Sequence, residues 1–182
     1  MRVSPGRCAS AVPAKRSFPP IVDAQAGVLV LGTLPGEESL RRGEYYAHPR
    51  NLFWPIIFAL FGDLPALNYS ERLAFLAAHR IAAWDVCEVG ERERSADTTI
   101  RLERPNAIDR LLDNHPRIRA VAFNGTTARR LYDRHFARRA ALTYLALPST
   151  SPAHATVDFA AKLARWTALR EILEQDGRPQ TR

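Results

Sequence analysis

The sequence predicts an α/β fold, a three-layer sandwich in which helices cover both faces of a short, mainly parallel central sheet of about four strands. Four apolar segments have the length and composition of buried strands, and these are residues 27–32, 81–86, 118–125 and 142–147. Helical patterns separate the four segments, and strands that alternate with helices form parallel sheets. The chain of 182 residues is long enough for one such domain.

The helical segments are recognised by their caps and by apolar residues at three- and four-residue spacing. One helix is predicted to begin at Ser70, Asn106 is expected to cap a second helix, and residues 126–135 are expected to form a third. The last helix has the clearest pattern, a stripe made of Phe159, Leu163, Trp166, Leu169 and Leu173.

Composition divides the chain into three parts. Residues 1–20 are rich in proline, arginine, serine and alanine, and they are expected to form a flexible arm. Residues 21–175 are expected to form a single domain, since neither repeats nor a second domain are visible in the pattern. Residues 176–182 are expected to form a polar tail.

Several classes of protein do not fit this composition. No apolar segment of about 18 residues or more occurs, so no transmembrane helix is expected, and the first residues lack the long apolar segment of a secretory signal. The two cysteines, Cys8 and Cys87, are too few for a disulfide framework or an iron–sulfur cluster. We therefore expect a cytoplasmic protein.

The net charge of the chain is +7, and of its 26 basic residues only Lys15 and Lys162 are lysines. An excess of positive charge favours a polyanionic partner, and the planar guanidinium group binds phosphate oxygens bidentately. A genome biased towards arginine codons explains the scarcity of lysine equally well, but it leaves the physical consequence of the charge unchanged.

Ligands of parallel sheets bind beyond the carboxyl ends of the strands, and each predicted strand here ends in an unusual loop. After the first strand, Gly32, Thr33 and Leu34 begin a turn that ends at Gly36. Its glycines allow backbone N–H groups to be exposed to an anion or to the polar edge of a base. A plain turn is the alternative explanation of these residues.

The next polar segment, residues 45–54, contains two tyrosines, a histidine, an arginine, an asparagine and two large aromatic residues. Arg50 is a candidate for phosphate binding, and Phe53 is a candidate for stacking on a base. Asn51 can also cap the helix that follows. A cap with a hydrophobic contact explains Asn51 and Trp54, but not the whole set.

Polar residues also follow the last two predicted strands. Asn124 stands before a glycine, and its amide offers a donor and an acceptor to a base edge, although a turn asparagine is an equally good explanation. Residues 147–154 form a small, hydroxyl-rich loop that leaves space for a DNA backbone. A connector stiffened by proline is the alternative there.

Together, these loops resemble the uracil-DNA glycosylase superfamily, and most closely its hypoxanthine-DNA glycosylase branch, also called DNA-deoxyinosine glycosylase or family 6. The resemblance covers about residues 17–175, and the motifs agree with that branch in order and spacing. The motifs are Gly32–Gly36, Tyr45–Asn51 with Phe53 and Trp54, Trp84–Val86, Phe123–Gly125 and Leu147–His154.

The resemblance implies an α/β enzyme that acts on DNA, flips a deaminated base out of the helix and hydrolyses its N-glycosidic bond. The base is hypoxanthine, with uracil and xanthine as further candidates, and no metal or other cofactor is expected. Thr33 stands where several sister families carry an acidic or amide residue that holds the catalytic water, and the resemblance passes this role to Asn51. Leu147 replaces the histidine of a His-Pro-Ser motif, and Asp97 is a weaker match to a Gly-Ser-x-Asp element.

The remaining roles follow the same resemblance. The expected contacts to the substrate base are Gly32, Thr33, Leu34, Phe53, Asn124 and Ser149. The expected contacts to the DNA backbone are Arg50, Thr150, Ser151 and His154. The enzyme is expected to act as a monomer.

The chemistry of this reaction is consistent with these residue types. The sugar develops oxocarbenium character, and the leaving base gains negative charge that N–H donors can stabilise. The neutral amide of Asn51 is not a strong base, but a water that attacks such an electrophilic sugar needs mainly positioning. None of the loops contains a lysine, the nucleophile of a Schiff-base lyase step, so we predict a monofunctional hydrolase that leaves an abasic site.

Two other functions fit parts of the sequence. A hydrolase of free nucleosides or nucleotides could use a similar sheet, but it would not need a net charge of +7. A non-catalytic nucleic-acid-binding domain would bind DNA with strong salt dependence and release no base.

Overall fold

The computed structural model describes residues 14–62, 68–91 and 100–176. In chain order, the strands are β1 (Ala14–Arg16), β2 (Val28–Gly32), β3 (Ile81–Asp85), β4 (Cys87–Glu91), β5 (Arg101–Pro105), β6 (Ala120–Asn124) and β7 (Thr143–Leu147). The helices are α1 (Glu37–Arg42), α2 (Phe53–Phe61), α3 (Tyr69–Ala78), α4 (Ile108–Asn114), α5 (Thr126–His135) and α6 (Phe159–Asp176). A short 3-10 turn covers Pro152–His154. The four strands predicted from the apolar segments are β2, β3, β6 and β7.

The central sheet has the strand order β3-β2-β6-β7, and each neighbouring pair of strands is parallel. Helices α2, α3 and α6 cover one face through Phe53, Leu76 and Trp166. Helices α4 and α5 cover the other face through Leu111 and Tyr132. The predicted three-layer α/β fold with a four-stranded parallel sheet is therefore confirmed.

Successive side chains of β2 lie on opposite faces of the central sheet. The even-numbered residues of β2 pack in the layer of α2 and α6, and the odd-numbered residues pack in the layer of α4 and α5. The last residue, Gly32, continues the face of α2 and α6. The parallel register pairs Gly32 with Asp85 of β3, and on the other side of β2 it pairs Leu31 with Phe123, the residue before Asn124 in β6.

A second sheet, antiparallel and of order β1-β4-β5, was not expected from the sequence. Because β1 belongs to it, the predicted flexible arm over residues 1–20 is wrong for residues 14–20. The backbone N–H of Ser17 donates to the carbonyl of Glu88, and the carbonyl of Phe18 accepts the indole N–H of Trp84. A three-residue strand that contains two basic residues is too short for any periodicity, which explains why the sequence pattern missed it. The rest of the arm, residues 1–13, lies outside the described residues.

Helix starts differ from the sequence-based expectations in two places. Helix α3 begins one residue early, because Asn68 accepts from the N–H of Glu71 in a capping box. Asn106 does not cap α4. Its amide instead donates to the carbonyls of Asp85 and Cys87, so it ties the start of α4 to the end of β3.

The described part of the chain contains no helix that is long and apolar enough to span a membrane. Helix α6 extends to Asp176, the first residue of the predicted polar tail, and residues 177–182 lie outside the described part.

Candidate active site

An open pocket of about 690 Å³ lies at the carboxyl edge of the central sheet. It is built from the loops that follow β2, β3, β6 and β7, together with the segment before α2. Its lining residues, apart from the α1 segment, are Gly32, Thr33, Leu34, Pro35, Tyr45, Tyr46, His48, Asn51, Asp85, Asn124, Ser149, Thr150, Ser151 and Pro152. The structure therefore brings together most of the residues that the sequence singled out.

The floor of the pocket is Gly32. A Cβ atom at this position would lie 2.6 Å from Oδ1 of Asp85 and 3.2 Å from the hydroxyl oxygen of Tyr46. The carboxylate of Asp85 and the hydroxyl of Tyr46 therefore occupy the space that a side chain at position 32 would need, and the glycine allows this close approach.

The amide of Asn124 makes two hydrogen bonds with Thr150. Its Nδ2 donates to the threonine hydroxyl at 2.9 Å, and its Oδ1 accepts from the threonine backbone N–H at 2.9 Å. Each of these amide atoms can make one more hydrogen bond, so Asn124 can hold the loop after β7 and still contact a ligand. Thr150 is fully buried, so its predicted contact with the DNA backbone is wrong for the side chain as it stands in this structure.

Asn51 lines the pocket and also holds the start of α2. Its Oδ1 accepts the backbone N–H of Phe53 at 3.0 Å, which satisfies one of the unpaired N–H groups of the first helical turn. The two explanations offered by the sequence, a cap and a site residue, are therefore compatible at this position.

Phe53 does not reach the pocket, so its predicted direct stacking on a base is wrong. The side chain is fully buried in the core between the sheet and α6, where it meets Trp166. Tyr46 lies against Phe53 with ring centroids 3.8 Å apart and an interplanar angle of 17°, and Tyr46 lines the pocket together with Tyr45. The φ angle of Tyr46 is 56°, a left-handed conformation that costs about 1 kcal/mol and is typical of functional sites.

His48 is a pocket residue that the sequence motifs contained but did not single out. Its Nδ1 accepts the backbone N–H of Arg50 at 3.1 Å. In the neutral imidazole the proton is then on Nε2, which makes His48 a hydrogen-bond donor. Arg50 and His154 are exposed and do not line the pocket, as expected for residues that contact a DNA backbone.

Asp85 is the buried carboxylate of the pocket, with 3% of its surface exposed. Its Oδ2 accepts the hydroxyl of Ser17 at 3.2 Å, and that hydroxyl lies 3.2 Å from the phenol oxygen of Tyr45. Burial, and secondly the charge of Asp85, raise the pKa of Tyr45 well above its ordinary value, so this phenol stays protonated and acts as a donor. It donates to the carbonyl of Phe18, which fixes the segment behind Asp85.

Two further carboxylates, Glu37 and Glu38, lie at the mouth of the pocket. Hydrogen bonds from Arg41 and then Arg42 lower the pKa of Glu38 to about 2, and both arginines pair with it. The positive partners offset negative charge that would otherwise repel a polyanion at this entrance.

The loop after β7 is held from behind by α6. The Nζ of Lys162 donates to the carbonyl of His154 at 2.8 Å, and the indole N–H of Trp166 donates to the carbonyl of Pro148 at 3.0 Å. Lys162 is 1% exposed, and burial lowers the pKa of its ammonium group. Among the residues that the structure describes, no group of three or more His, Cys, Asp or Glu side chains could hold a metal ion. Asp97 lies outside those residues.

Comparisons with known proteins agree with this architecture. A sequence model of the uracil DNA glycosylase superfamily matches residues 19–171. A protein named hypoxanthine DNA glycosylase from Methanosarcina barkeri is 42% identical over 112 residues, which cover 61% of this chain and 71% of that protein. A protein of the same name from Methanosarcina acetivorans is 38% identical over 115 residues, which cover 63% of this chain and 73% of that protein.

A solved structure shares the fold. The solution NMR structure of a candidate uracil DNA glycosylase from Methanosarcina acetivorans superposes with a TM-score of 0.78 at 34% sequence identity. The match covers 89% of this chain and 99% of that one.

Proposed function

The chain belongs to the uracil DNA glycosylase superfamily, and from this membership we propose that it is a DNA glycosylase that removes deaminated bases, hypoxanthine in the first place. The enzyme flips the base out of the DNA helix, hydrolyses the N-glycosidic bond and leaves an abasic site. The relatives named hypoxanthine DNA glycosylase support this choice of substrate.

The observation that carries the proposal is the pocket at the carboxyl edge of the central sheet, where Asn51, Asn124 and Tyr46 come together. Polar side chains and an aromatic ring in one pocket are what the recognition of a flipped base requires. The ring of Tyr46, itself supported by Phe53, gives this pocket an aromatic wall on which a base can stack.

Asn51 positions the attacking water through hydrogen bonds. Its Oδ1 has a second acceptor site beside the one used by Phe53, and its Nδ2 carries two donors. A water held in this way needs no strong base, because the sugar is already close to an oxocarbenium ion when the bond breaks. Donors at the pocket, His48 among them, stabilise the negative charge that develops on the leaving base.

DNA is held by groups around the mouth of the pocket. Arg50 and His154 are exposed, and Ser151 lines the pocket. These groups bind phosphate and do not read the base, whereas Ser149, which also lines the pocket, contacts the base.

The reaction stops at hydrolysis. A lyase step needs an amine at the sugar, and no lysine lines the pocket. Lys15 pairs with Glu37 at 3.6 Å, and Lys162 is buried against the carbonyl of His154.

We propose that the protein acts as a monomer in the cytoplasm. The thiol of Cys87 is free and fully buried, as is common in a reducing compartment.

The proposal is tested with DNA oligonucleotides that each carry one lesion, incubated with purified protein in the presence of a chelator. Free hypoxanthine and an abasic site are the expected products, and uracil and xanthine are compared at the same enzyme excess. Activity on free deoxyinosine would identify a nucleoside hydrolase. Salt-sensitive DNA binding without release of any base would identify a non-catalytic domain.

A further inference from the structure

Thr150 uses its side chain and both of its backbone groups within the candidate active site. Its hydroxyl accepts a hydrogen bond from Nδ2 of Asn124 at 2.9 Å, and its backbone N–H donates to Oδ1 of the same amide at 2.9 Å. Its carbonyl accepts the backbone N–H of Leu52 at 3.0 Å. Leu52 directly follows Asn51, so Thr150 is hydrogen-bonded both to the amide at the end of β6 and to the segment before α2.

The two contacts with Thr150 fix the orientation of the Asn124 amide. A backbone N–H can only donate, so the amide oxygen, and not the amide nitrogen, must face the backbone of Thr150. The hydroxyl then accepts from the nitrogen. The remaining N–H and the remaining lone pair of Asn124 therefore keep fixed places in the pocket that this side chain lines.

The carbonyl contact extends this order to Asn51. The N–H of Leu52 is bound to Thr150, and the next N–H along the chain, that of Phe53, is bound to Oδ1 of Asn51. A shift of the loop after β7 would therefore disturb both asparagines together. Groups that act on the same nucleotide must keep their relative positions, because a small misplacement lowers a reaction rate strongly.

Burial makes the hydroxyl of Thr150 difficult to replace. Thr150 is fully buried and Asn124 is 7% exposed, so Thr150 itself touches neither a base nor DNA in this structure. A buried donor that loses its acceptor stays unsatisfied unless a water can enter. Valine has nearly the shape of threonine, so Thr150→Val removes the acceptor without opening such a space and leaves the backbone contacts in place.

We propose that Thr150 is a positioning residue for base release, which acts through Asn124 and holds that amide in a fixed relation to the segment of Asn51. This inference rests on the proposed function, in which Asn124 contacts the flipped base. It adds a residue that takes part in the reaction without contact to the substrate.

The first test separates binding from the rate of base release. Thr150→Val should lower the single-turnover rate by about tenfold, as misplacement of one contact group does, and should leave affinity for lesion-containing DNA within about twofold. Thr150→Ser keeps the hydroxyl, so its rate should stay within about threefold of wild type, although the loss of a buried methyl group lowers its stability. Thr167→Val is the matched control, because the Thr167 hydroxyl bonds only within α6, to the carbonyl of Leu163.

A double variant shows whether Thr150 acts through Asn124. In the background of Asn124→Ala, Thr150→Val should lower the rate by less than about twofold, since the group that it positions is already absent. A loss as large as that in the wild-type background would overturn the inference. So would equal rates for wild type and Thr150→Val, or a serine variant as slow as the valine variant.

NMR of the Asn124 side-chain amide provides a readout that needs no activity. In wild type and in Thr150→Ser, the Nδ2 proton bound to Thr150 should exchange with water at least about tenfold more slowly than the other, and in Thr150→Val the two rates should agree within about threefold. Equal exchange of both protons in wild type would overturn the inference even if Thr150→Val does not fold. Absence of base release by wild type would refute the proposed function, whereas the amide exchange would still show whether Thr150 holds Asn124.

Discussion

Asn51 accepts the N–H of Phe53 and lines the pocket, and the role proposed for it in catalysis can be separated from its structural contact by substitution. Asn51→Ala should lower the single-turnover rate of base release roughly a hundredfold, as the loss of one positioning group does. It should also lower the free energy of unfolding by about 1 kcal/mol, because the N–H of Phe53 loses its acceptor.

Asn51→Ser is the matched control for this prediction. Serine is a good cap but is too short to hold the water, so its stability should be close to wild type and its rate close to that of Asn51→Ala. Rapid-quench release and urea unfolding measure the two effects. If Asn51→Ser releases the base at the wild-type rate, Asn51 acts only as a helix cap.

His48 and His154 should differ in their importance for base release. His48 lines the pocket and His154 does not, so His48→Asn should lower base release at least tenfold, and His154→Asn should leave single-turnover release within about threefold of wild type. Asparagine at position 48 keeps an acceptor for the N–H of Arg50 while it removes the Nε2 donor. Release rates at saturating enzyme check this. If His154→Asn has the larger effect, the histidine that stabilises the leaving base lies on the loop after β7.

At the scale of single residues, the sequence predicted the position of a polar side chain better than its contacts. Asn124 and Asn51 line the pocket as expected because each follows a recognisable strand or precedes a helix. Phe53 was misassigned because an aromatic motif does not reveal which ring is buried in the core and which lines the pocket, and here Phe53 is buried while Tyr46 lines the pocket. Asp85 was missed as a site residue because a carboxylate at the end of an apolar strand has no signature until its neighbour is seen to be a glycine.

At the scale of elements, helix α6 supports the loop after β7. Lys162→Met keeps the volume of the side chain but removes the donor to the carbonyl of His154. Affinity for lesion-containing DNA should therefore fall several-fold, measured at fixed salt. The variant Arg165→Met changes the same charge on an exposed position of α6 and serves as the control.

The same substitution has a consequence for pH dependence. Burial holds the pKa of Lys162 below its ordinary value of 10.5, so the unfolded chain binds more protons between the folded pKa and that value. The wild-type protein should gain stability relative to Lys162→Met as pH rises through this window, and the difference should be constant at lower pH. Urea unfolding of both proteins at neutral and alkaline pH measures it. A difference that shrinks with rising pH would contradict this sign.

The elements of the central sheet could be predicted because four apolar runs of suitable length alternate with helical patterns. The second sheet could not, since β1 has only three residues and β4 and β5 pair with irregular register between Cys87 and Glu91. Such strands are stabilised by their partners and not by their own apolar pattern.

At the scale of the whole molecule, the charge of +7 should produce salt-sensitive binding to DNA. Arg50→Ala should lower affinity for all sequences and reduce the slope of log affinity against log salt by about one, without changing the preference for hypoxanthine. Arg117→Ala is the control of equal charge, because Arg117 lies at the amino end of the sheet and donates to Gln25. Equal slopes for the two variants would show that the salt dependence of DNA binding follows the net charge and not the position of Arg50.

The hydrogen bond between Trp84 and Phe18 joins residues 66 positions apart in the sequence. Closing the loop between them costs conformational entropy before the contact stabilises it, as does the pairing of β2 with β6, whose partners are 92 positions apart. The segment before β2 can dock only once β3 has formed, because its partners Trp84 and Asp85 both belong to that strand. The indole of Trp84 changes environment when Phe18 docks, so its fluorescence should follow the docking of this segment during refolding.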